Sequence, residues 1–258
     1  MRGISPSELA AFITHTIKRE VSESGTITGY REALVRFVAA DDPGFPDLRR
    51  VAEPTHMMPE DLLSGARSVV SFFLPFAPDV VEANKQDRAQ VAHEWALAYV
   101  ETNRLIGQIT SRLTGLLAER GVRAAAEPAT GNFDPETLIS RWSHKSVAVL
   151  AGLGSFGLHH LVITDAGCAG RFGSLVIDAD LPVDRPEPRE RCEFYDNGGC
   201  MECVFKCPVN ALDEDDGIDK HACWARCLEV AREYEHLGVA EVCGKCAVVG
   251  PCALESAV

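Results

Sequence analysis

Residues 192–208 read CEFYDNGGCMECVFKCP, and the spacing of the four thiols in that stretch governs how the rest of the chain is understood. Seven residues separate Cys192 from Cys200, two separate Cys200 from Cys203, and three separate Cys203 from Cys207, which precedes Pro208. A two-residue gap lets neighbouring thiolates reach adjacent irons of one inorganic cube, with backbone N–H groups left to bond its sulfides. The C-x-x-x-C-P ending is a cluster spacing rather than a zinc spacing. Further on, Cys223, Cys227, Cys243, Cys246 and Cys252 bring the tail to nine cysteines in 67 residues, whereas the first 191 residues hold only Cys168. The N-terminus, MRGISPSELAAFITHTIKREV, has neither an apolar export segment nor a twin-arginine signal. The thiols therefore read as metal ligands rather than disulfides, and a cytoplasmic location is expected.

Zinc ribbons also pair C-x-x-C motifs, but nine thiols exceed one zinc site. The later half of the run matches the two-cluster ferredoxin pattern, in which three cysteines hold one iron–sulfur cluster and the fourth holds the other. Eight ligands suffice for two 4Fe–4S clusters, so two of the ten cysteines are spare. Cys168, distant in sequence, reads as a small buried thiol. Cys223 and Cys227 form an i,i+4 pair on a helix, and spacing leaves open which of them is a ligand. The long first gap, EFYDNGG, is expected to be a loop that bends at Gly198 and Gly199 around a cluster corner.

The 258 residues carry 25 Lys+Arg against 38 Asp+Glu, a net charge of −13, with 46% hydrophobic and 24% charged residues. That composition is globular. The charge opposes a nucleic-acid partner, which needs a basic surface, but leaves room for a local basic cleft. No apolar run is long enough to span a membrane. Ser5-Pro6-Ser7 reads as a cap for a helix over 5–23, with Leu9, Phe12, Ile13 and Ile17 on one face. Strands are expected at Leu34–Ala39, at Ser68–Leu74 (ended by Pro75 and Pro78), and at Leu161–Thr164 and Ser174–Ile177. One long helix is expected over 84–120, its Trp95/Tyr99 stripe packed in the core and Gly121 closing it; Val122–Ala126, a turn at Gly131–Pro135 and a helix over 136–151 follow. Strands without intervening helices imply an α+β fold. The segment LPVDRPEPRER (181–191) reads as a connector, dividing a core of 1–190 from a tail module of 191–258.

Gly152-Leu153-Gly154-Ser155-Phe156-Gly157 is a literal G-x-G-x-x-G, but LHHLVIT follows at once, leaving no room for the helix that a dinucleotide site needs. The glycines form either a bare turn between helix and strand or a place where backbone approaches a flat cofactor. His159 and His160 read as a surface pair or, less readily, as a cofactor ligand or proton donor. His144 and Lys145 read as helix surface, and Asp213–Asp216 as a solvated turn without calcium-loop spacing.

Two passages together carry a resemblance. VAVLAGLGSFGLHHLVITDAGCAGRFGSLVIDADLP (147–182) followed by the cysteine-rich tail resembles the epoxyqueuosine reductases and, more distantly, the corrinoid reductive dehalogenases. HMMPEDLLSGARSVVSFFLPF (56–76) matches the same core more weakly. The resemblance implies a nitroreductase-like cobalamin-binding core joined to a double 4Fe–4S ferredoxin-like module. It implies one cluster on Cys192, Cys200, Cys203 and Cys252, and another on Cys207, Cys223, Cys243 and Cys246, with Cys227 spare. It also places Gly152, Gly154, Ser155, Phe156 and Gly157 beside the corrinoid, followed by Arg171, Gly173 and Ser174.

The family's aspartate proton donor falls here on Leu138; Asp134 and Glu136 are near but match only with a gap, so no catalytic residue is assigned. The implied function is an oxidoreductase that takes single electrons from a reduced ferredoxin or flavodoxin. They would pass through two clusters to a corrinoid, for reduction of a small-molecule substrate or of the corrinoid itself. The alternative is a non-catalytic ferredoxin-type carrier whose core is empty or binds flavin.

Overall fold

A capping box starts the first helix. Ser5 Oγ accepts the Glu8 N–H at 3.3 Å while Glu8 Oε2 accepts the Ser5 N–H at 2.9 Å, and Pro6 occupies the first turn. The computed structural model describes residues 4–184 and 189–258. Helix α1 (Pro6–Ser22) leads to β1 (Leu34–Ala39), α2 (Gly44–Val51), α3 (Pro59–Leu62), β2 (Ser68–Pro75), α4 (Pro78–Lys85) and α5 (His93–Ala118). Next come β3 (Ala124–Ala125), a hairpin of β4 (Phe133–Asp134) and β5 (Ile139–Ser140), α6 (His144–Leu150), a hairpin of β6 (Gly154–Phe156) and β7 (Val162–Thr164), and β8 (Gly170–Ile177). The tail carries α7 (Glu193–Asn197), α8 (Glu202–Lys206), β9 (Leu212–Asp213), β10 (Gly217–Ile218), α9 (Lys220–Glu233) and short 3-10 turns.

The main sheet has the order β1-β2-β8-β3 and is antiparallel at every pairing. All eight residues of β2 are buried, because helices cover both faces of this central strand. Val70, Phe72 and Leu74 meet Leu175 and Ile177 on the face packed by α1 and α5. Val69 and Val176 turn the other way, toward Phe45, Trp142 and Val147. This is an α+β fold. The expected strands at 34–39, 68–74, 161–164 and 174–177 are present, each within a residue at its start or extended toward its N-terminus.

Three expectations are corrected. The single helix over 84–120 is two helices, since Asp87 Oδ1 takes the N–H groups of Ala89 and Gln90 and Asn84 Oδ1 takes that of Ala92. Those side chains offer the backbone an alternative to the helical ladder. The helix expected over 136–151 is a hairpin turn followed by a short helix. Asp134 Oδ1 accepts the N–H groups of Glu136 and Thr137, Leu138 adopts φ +56°, and Ser143 caps α6. The EFYDNGG stretch is a helical turn rather than a loop, closed by Gly198 at φ +75°.

Of the connector expected at 181–191, residues 185–188 lie outside the described residues. The tail shares a hydrophobic cluster with the earlier chain, in which Phe76, Val91, Trp95 and Leu158 pack with Leu212, Val230, Ala240 and Val248. Arg31 fastens the two: its guanidinium donates to Phe76 O, Leu254 O and Ala166 O at 2.6–2.9 Å. No helix among the described residues is long and apolar enough to cross a membrane.

Candidate functional site

The cysteines converge on two cavities. The smaller is lined by Cys192, Cys200, Cys203 and Cys252, together with His159 and Leu158. The larger, of about 440 Å³, has Cys207, Cys223, Cys227, Cys243 and Cys246 in its wall, together with Cys168. Short local elements aim these thiols. Cys203 sits on α8, Cys207 follows it, and Cys223 and Cys227 lie one turn apart on α9, which Asp219 caps by accepting the Ala222 N–H.

Crowding has an electrostatic consequence. Burial and the neighbouring Cys252, Cys192 and Cys200 push the Cys203 thiol up to about 12. Burial and the nearby Cys223 and Cys243 also push Cys246 up. Cys223 is drawn down to about 7 by its hydrogen bond with Cys227, against burial and with help from Lys145, while Cys227 is pushed up. Buried thiolates this close repel one another, and a cationic metal centre reverses that cost. The donor set is therefore what soft metals require. One backbone N–H already serves a sulfur: Ala211 donates to Cys207 Sγ at 3.2 Å.

The remaining wall of the large cavity is basic, although the chain is acidic. Lys145, Arg171, Arg226 and Lys245 line it against one carboxylate among the described residues, that of Glu241. Lys245 is 2% exposed and gives its ammonium hydrogens to Asn84 O, Asn84 Oδ1 and Gln90 O at 2.6–2.9 Å. The Arg171 guanidinium lies 4.3 Å from the Tyr99 ring centre, and burial lowers its pKa. Burial also lowers that of Lys145, which donates to His160 O at 2.9 Å. Three buried donors on residues of this wall have no acceptor among the described residues: Trp95 Nε1, Arg171 Nε and Arg226 Nε. Such orphans are uncommon and point to a missing acceptor.

The residues expected beside a cofactor are placed unevenly. Arg171 lines the large cavity; Gly152, Gly154, Ser155, Phe156, Gly157, Gly173 and Ser174 do not. The glycine-rich passage spans the turn after α6 and the β6–β7 hairpin, and no long helix follows it. A Cβ on Gly154 would come within 2.0 Å of Ile163 O, so the hairpin itself requires this glycine. Phe156 approaches the cavity wall, with the Lys145 ammonium 5.9 Å from its ring centre. Gly173 lies under the Phe72 ring, and Ser174 Oγ bonds Trp142 and His144.

Several wall residues were not expected. His144 is buried, not helix surface, and desolvation lowers its pKa to about 4. His159 is 3% exposed rather than superficial. Trp95 and Tyr99 are buried as predicted but also face the cavity. Cys168 is a buried thiol, yet it is next to Cys252, and with His159 the three ligand atoms lie within 4.8 Å of one another. Asp134 is exposed, and its carboxyl is held low by N–H and hydroxyl groups of Thr137 and the N–H of Glu136. The expected solvated turn at Asp213–Asp216 joins β9 to β10, with Asp213 Oδ1 accepting from Asp215 and Asp216.

No protein-family profile matches the chain. An epoxyqueuosine reductase of Salmonella typhimurium is 30% identical over 166 residues, covering 64% of this chain and 40% of that one. One of Shewanella oneidensis is 30% identical over 198 residues, covering 70% and 46%. The chain is similar to the epoxyqueuosine reductases. It spans less than half the length of these two relatives. Among solved structures, a selenomethionine-labelled epoxyqueuosine reductase superposes with a TM-score of 0.62 at 16% identity, over 95% of this chain and 66% of that one. A catabolic reductive dehalogenase gives 0.61 at 17% identity, over 98% and 33%. At such identities these structures establish a shared fold, and the dehalogenases are the more distant likeness.

Proposed function

We propose that this chain is an iron–sulfur redox protein. Single electrons pass through two 4Fe–4S clusters to a corrinoid in the large cavity, for reduction of a small substrate or of the corrinoid itself. The observation that carries the reading is the partition of the thiols, with Cys192, Cys200, Cys203 and Cys252 around one cavity and the remaining ligands around another. The second cluster takes Cys207, Cys223, Cys243 and Cys246, all in the wall of the large cavity. The core of 1–190 is then nitroreductase-like and 191–258 is a ferredoxin-like module.

The large cavity fits an acceptor-rich ligand. Trp95 Nε1, Arg171 Nε and Arg226 Nε offer hydrogens to the amide and phosphate oxygens that a corrinoid carries. A bound corrinoid would supply low-valent cobalt as nucleophile or reductant. Lys145, Arg171, Arg226 and Lys245 balance the negative charge of the cluster wall, and Trp95, Tyr99 and Trp142 keep water from it. A solved dehalogenase of this fold is described as B12-dependent. An epoxyqueuosine reductase has been solved with a modified tRNA stem loop, but the −13 charge of this chain favours a small substrate.

The carrier reading, with an empty or flavin-binding core, is favoured by one observation: Asp134 is bound into its own turn and no aspartate lines the cavity among the described residues. Anaerobic reconstitution with iron, addition of cobalamin and titration with a strong reductant separate the two. Binding with a reductant-dependent change in the corrinoid spectrum is expected. No binding leaves the carrier.

A further inference from the structure

His159 belongs to the core, yet its ring reaches a thiol of the tail. Leu161 N–H donates to His159 Nδ1 at 3.1 Å, so Nδ1 is an acceptor and the neutral ring carries its proton on Nε2. Nε2 lies 3.4 Å from Cys252 Sγ. The ring is 3% exposed and lines the smaller cavity beside Cys192, Cys200 and Cys203.

The surrounding chain is built to hold this contact. A Cβ on Gly157 would stand 2.8 Å from His159 Cε1, so the last glycine of the G-x-G-x-x-G stretch makes room for the imidazole. Cys168 N–H donates to Cys252 O at 2.9 Å and Ala169 N–H to Ala253 O at 3.1 Å, pairing the core with the tail at the cysteine concerned. A Cβ on Gly167 would come within 2.4 Å of Ala253 O, so this pairing too depends on a glycine. The Cys168 thiol also lies beside the sulfur, within reach of both Ala247 O, at 3.5 Å, and Cys252 Sγ, and His159 supplies the N–H donor to Cys252.

We infer that His159 is a positioning residue of the core that donates Nε2–H to Cys252 Sγ and thereby raises the reduction potential of the cluster that Cys252 helps to hold. The inference rests on the reading of Cys252 as a ligand. A hydrogen bond to a ligating sulfur disperses the charge of the added electron, so it favours the reduced cluster. The glycine-rich passage then serves the clusters by seating a histidine.

The test is redox potentiometry of the anaerobically reconstituted full chain, followed by EPR. His159→Asn keeps a side-chain acceptor two residues before the Leu161 N–H but is too short to reach Cys252. His159→Gln extends an amide donor toward the sulfur. In His159→Asn, with both clusters loaded, one midpoint potential should fall by about 59 mV, a tenfold change in a one-electron ratio. His159→Gln should recover part of the shift, and the other cluster should stay unchanged. Unchanged midpoints in loaded His159→Asn, an equal fall in both, or loss of one cluster would overturn the inference. Cys252→Ala tests the reading beneath it: retention of both clusters there removes Cys252 as a ligand, an outcome distinct from unchanged potentials.

Discussion

His144 Nδ1 and Ser174 Oγ are 2.8 Å apart, which ties α6 to the central sheet behind the large cavity. The direction of the bond follows from its neighbours. His144 Nε2 faces Pro128 O at 3.0 Å and must carry the proton, so Nδ1 accepts from the Ser174 hydroxyl. Ser174 Oγ in turn accepts the Trp142 Nε1–H at 2.9 Å. A neutral imidazole thus completes a buried chain of donors and acceptors.

Protonation of His144 breaks that chain. Burial holds its pKa near 4 against a usual 6.5, so between those values the unfolded chain binds a proton that the folded chain refuses. Stability is full above pH 6.5 and falls as pH drops to 4, by roughly 3 kcal/mol in all. Chemical denaturation across this window should show the slope, and His144→Gln, which does not titrate, should flatten it.

Trp95→Phe removes an indole N–H that is buried without a partner. The ligand-free chain should keep its melting temperature within about 2 °C. Cobalamin affinity should fall about tenfold, the loss of one hydrogen bond of about 1.4 kcal/mol. Equilibrium titration of wild type and variant checks both.

Cys203→Ala should remove one cluster and leave the other largely loaded, because its neighbours Cys192, Cys200 and Cys252 line a cavity separate from Cys223, Cys243 and Cys246. Iron analysis should give about half the wild-type value. Loss of both clusters, or of neither, would show the grouping to be wrong.

Lys245→Met keeps the stem but withdraws an ammonium from Asn84 O, Asn84 Oδ1 and Gln90 O. These acceptors are then left dry, at a cost of about 2–3 kcal/mol, and the seam between α4 and the Cys243–Cys246 turn loosens. Urea denaturation should show a lower midpoint, and amide exchange at residues 84–90 should quicken.

Local signals made part of this fold legible. The Ser5-Pro6-Ser7 cap and the four-residue spacing of Leu9, Ile13 and Ile17 define α1, and SVVSFFL reads as a strand, which the structure places buried at the centre of the sheet. The thiol spacing likewise predicts the i,i+4 pair on α9. What was hidden depends on contacts distant in sequence or on side chains competing with a helix. Asn84 and Asp87 interrupt an otherwise helical pattern, and Asp134 with Leu138 bends a segment whose composition reads as helix. His144 reads as surface because its partner Ser174 is 30 residues away. The basic cavity has no linear signature at all, since Lys145, Arg171, Arg226 and Lys245 arrive from four separate segments.

The central claim is tested most directly by counting iron, acid-labile sulfide and zinc in the anaerobically purified and reconstituted chain. About eight irons and eight sulfides per chain, with zinc below one-tenth, are predicted for two 4Fe–4S clusters. A colourless protein holding one or two zinc ions and no labile sulfide would contradict it.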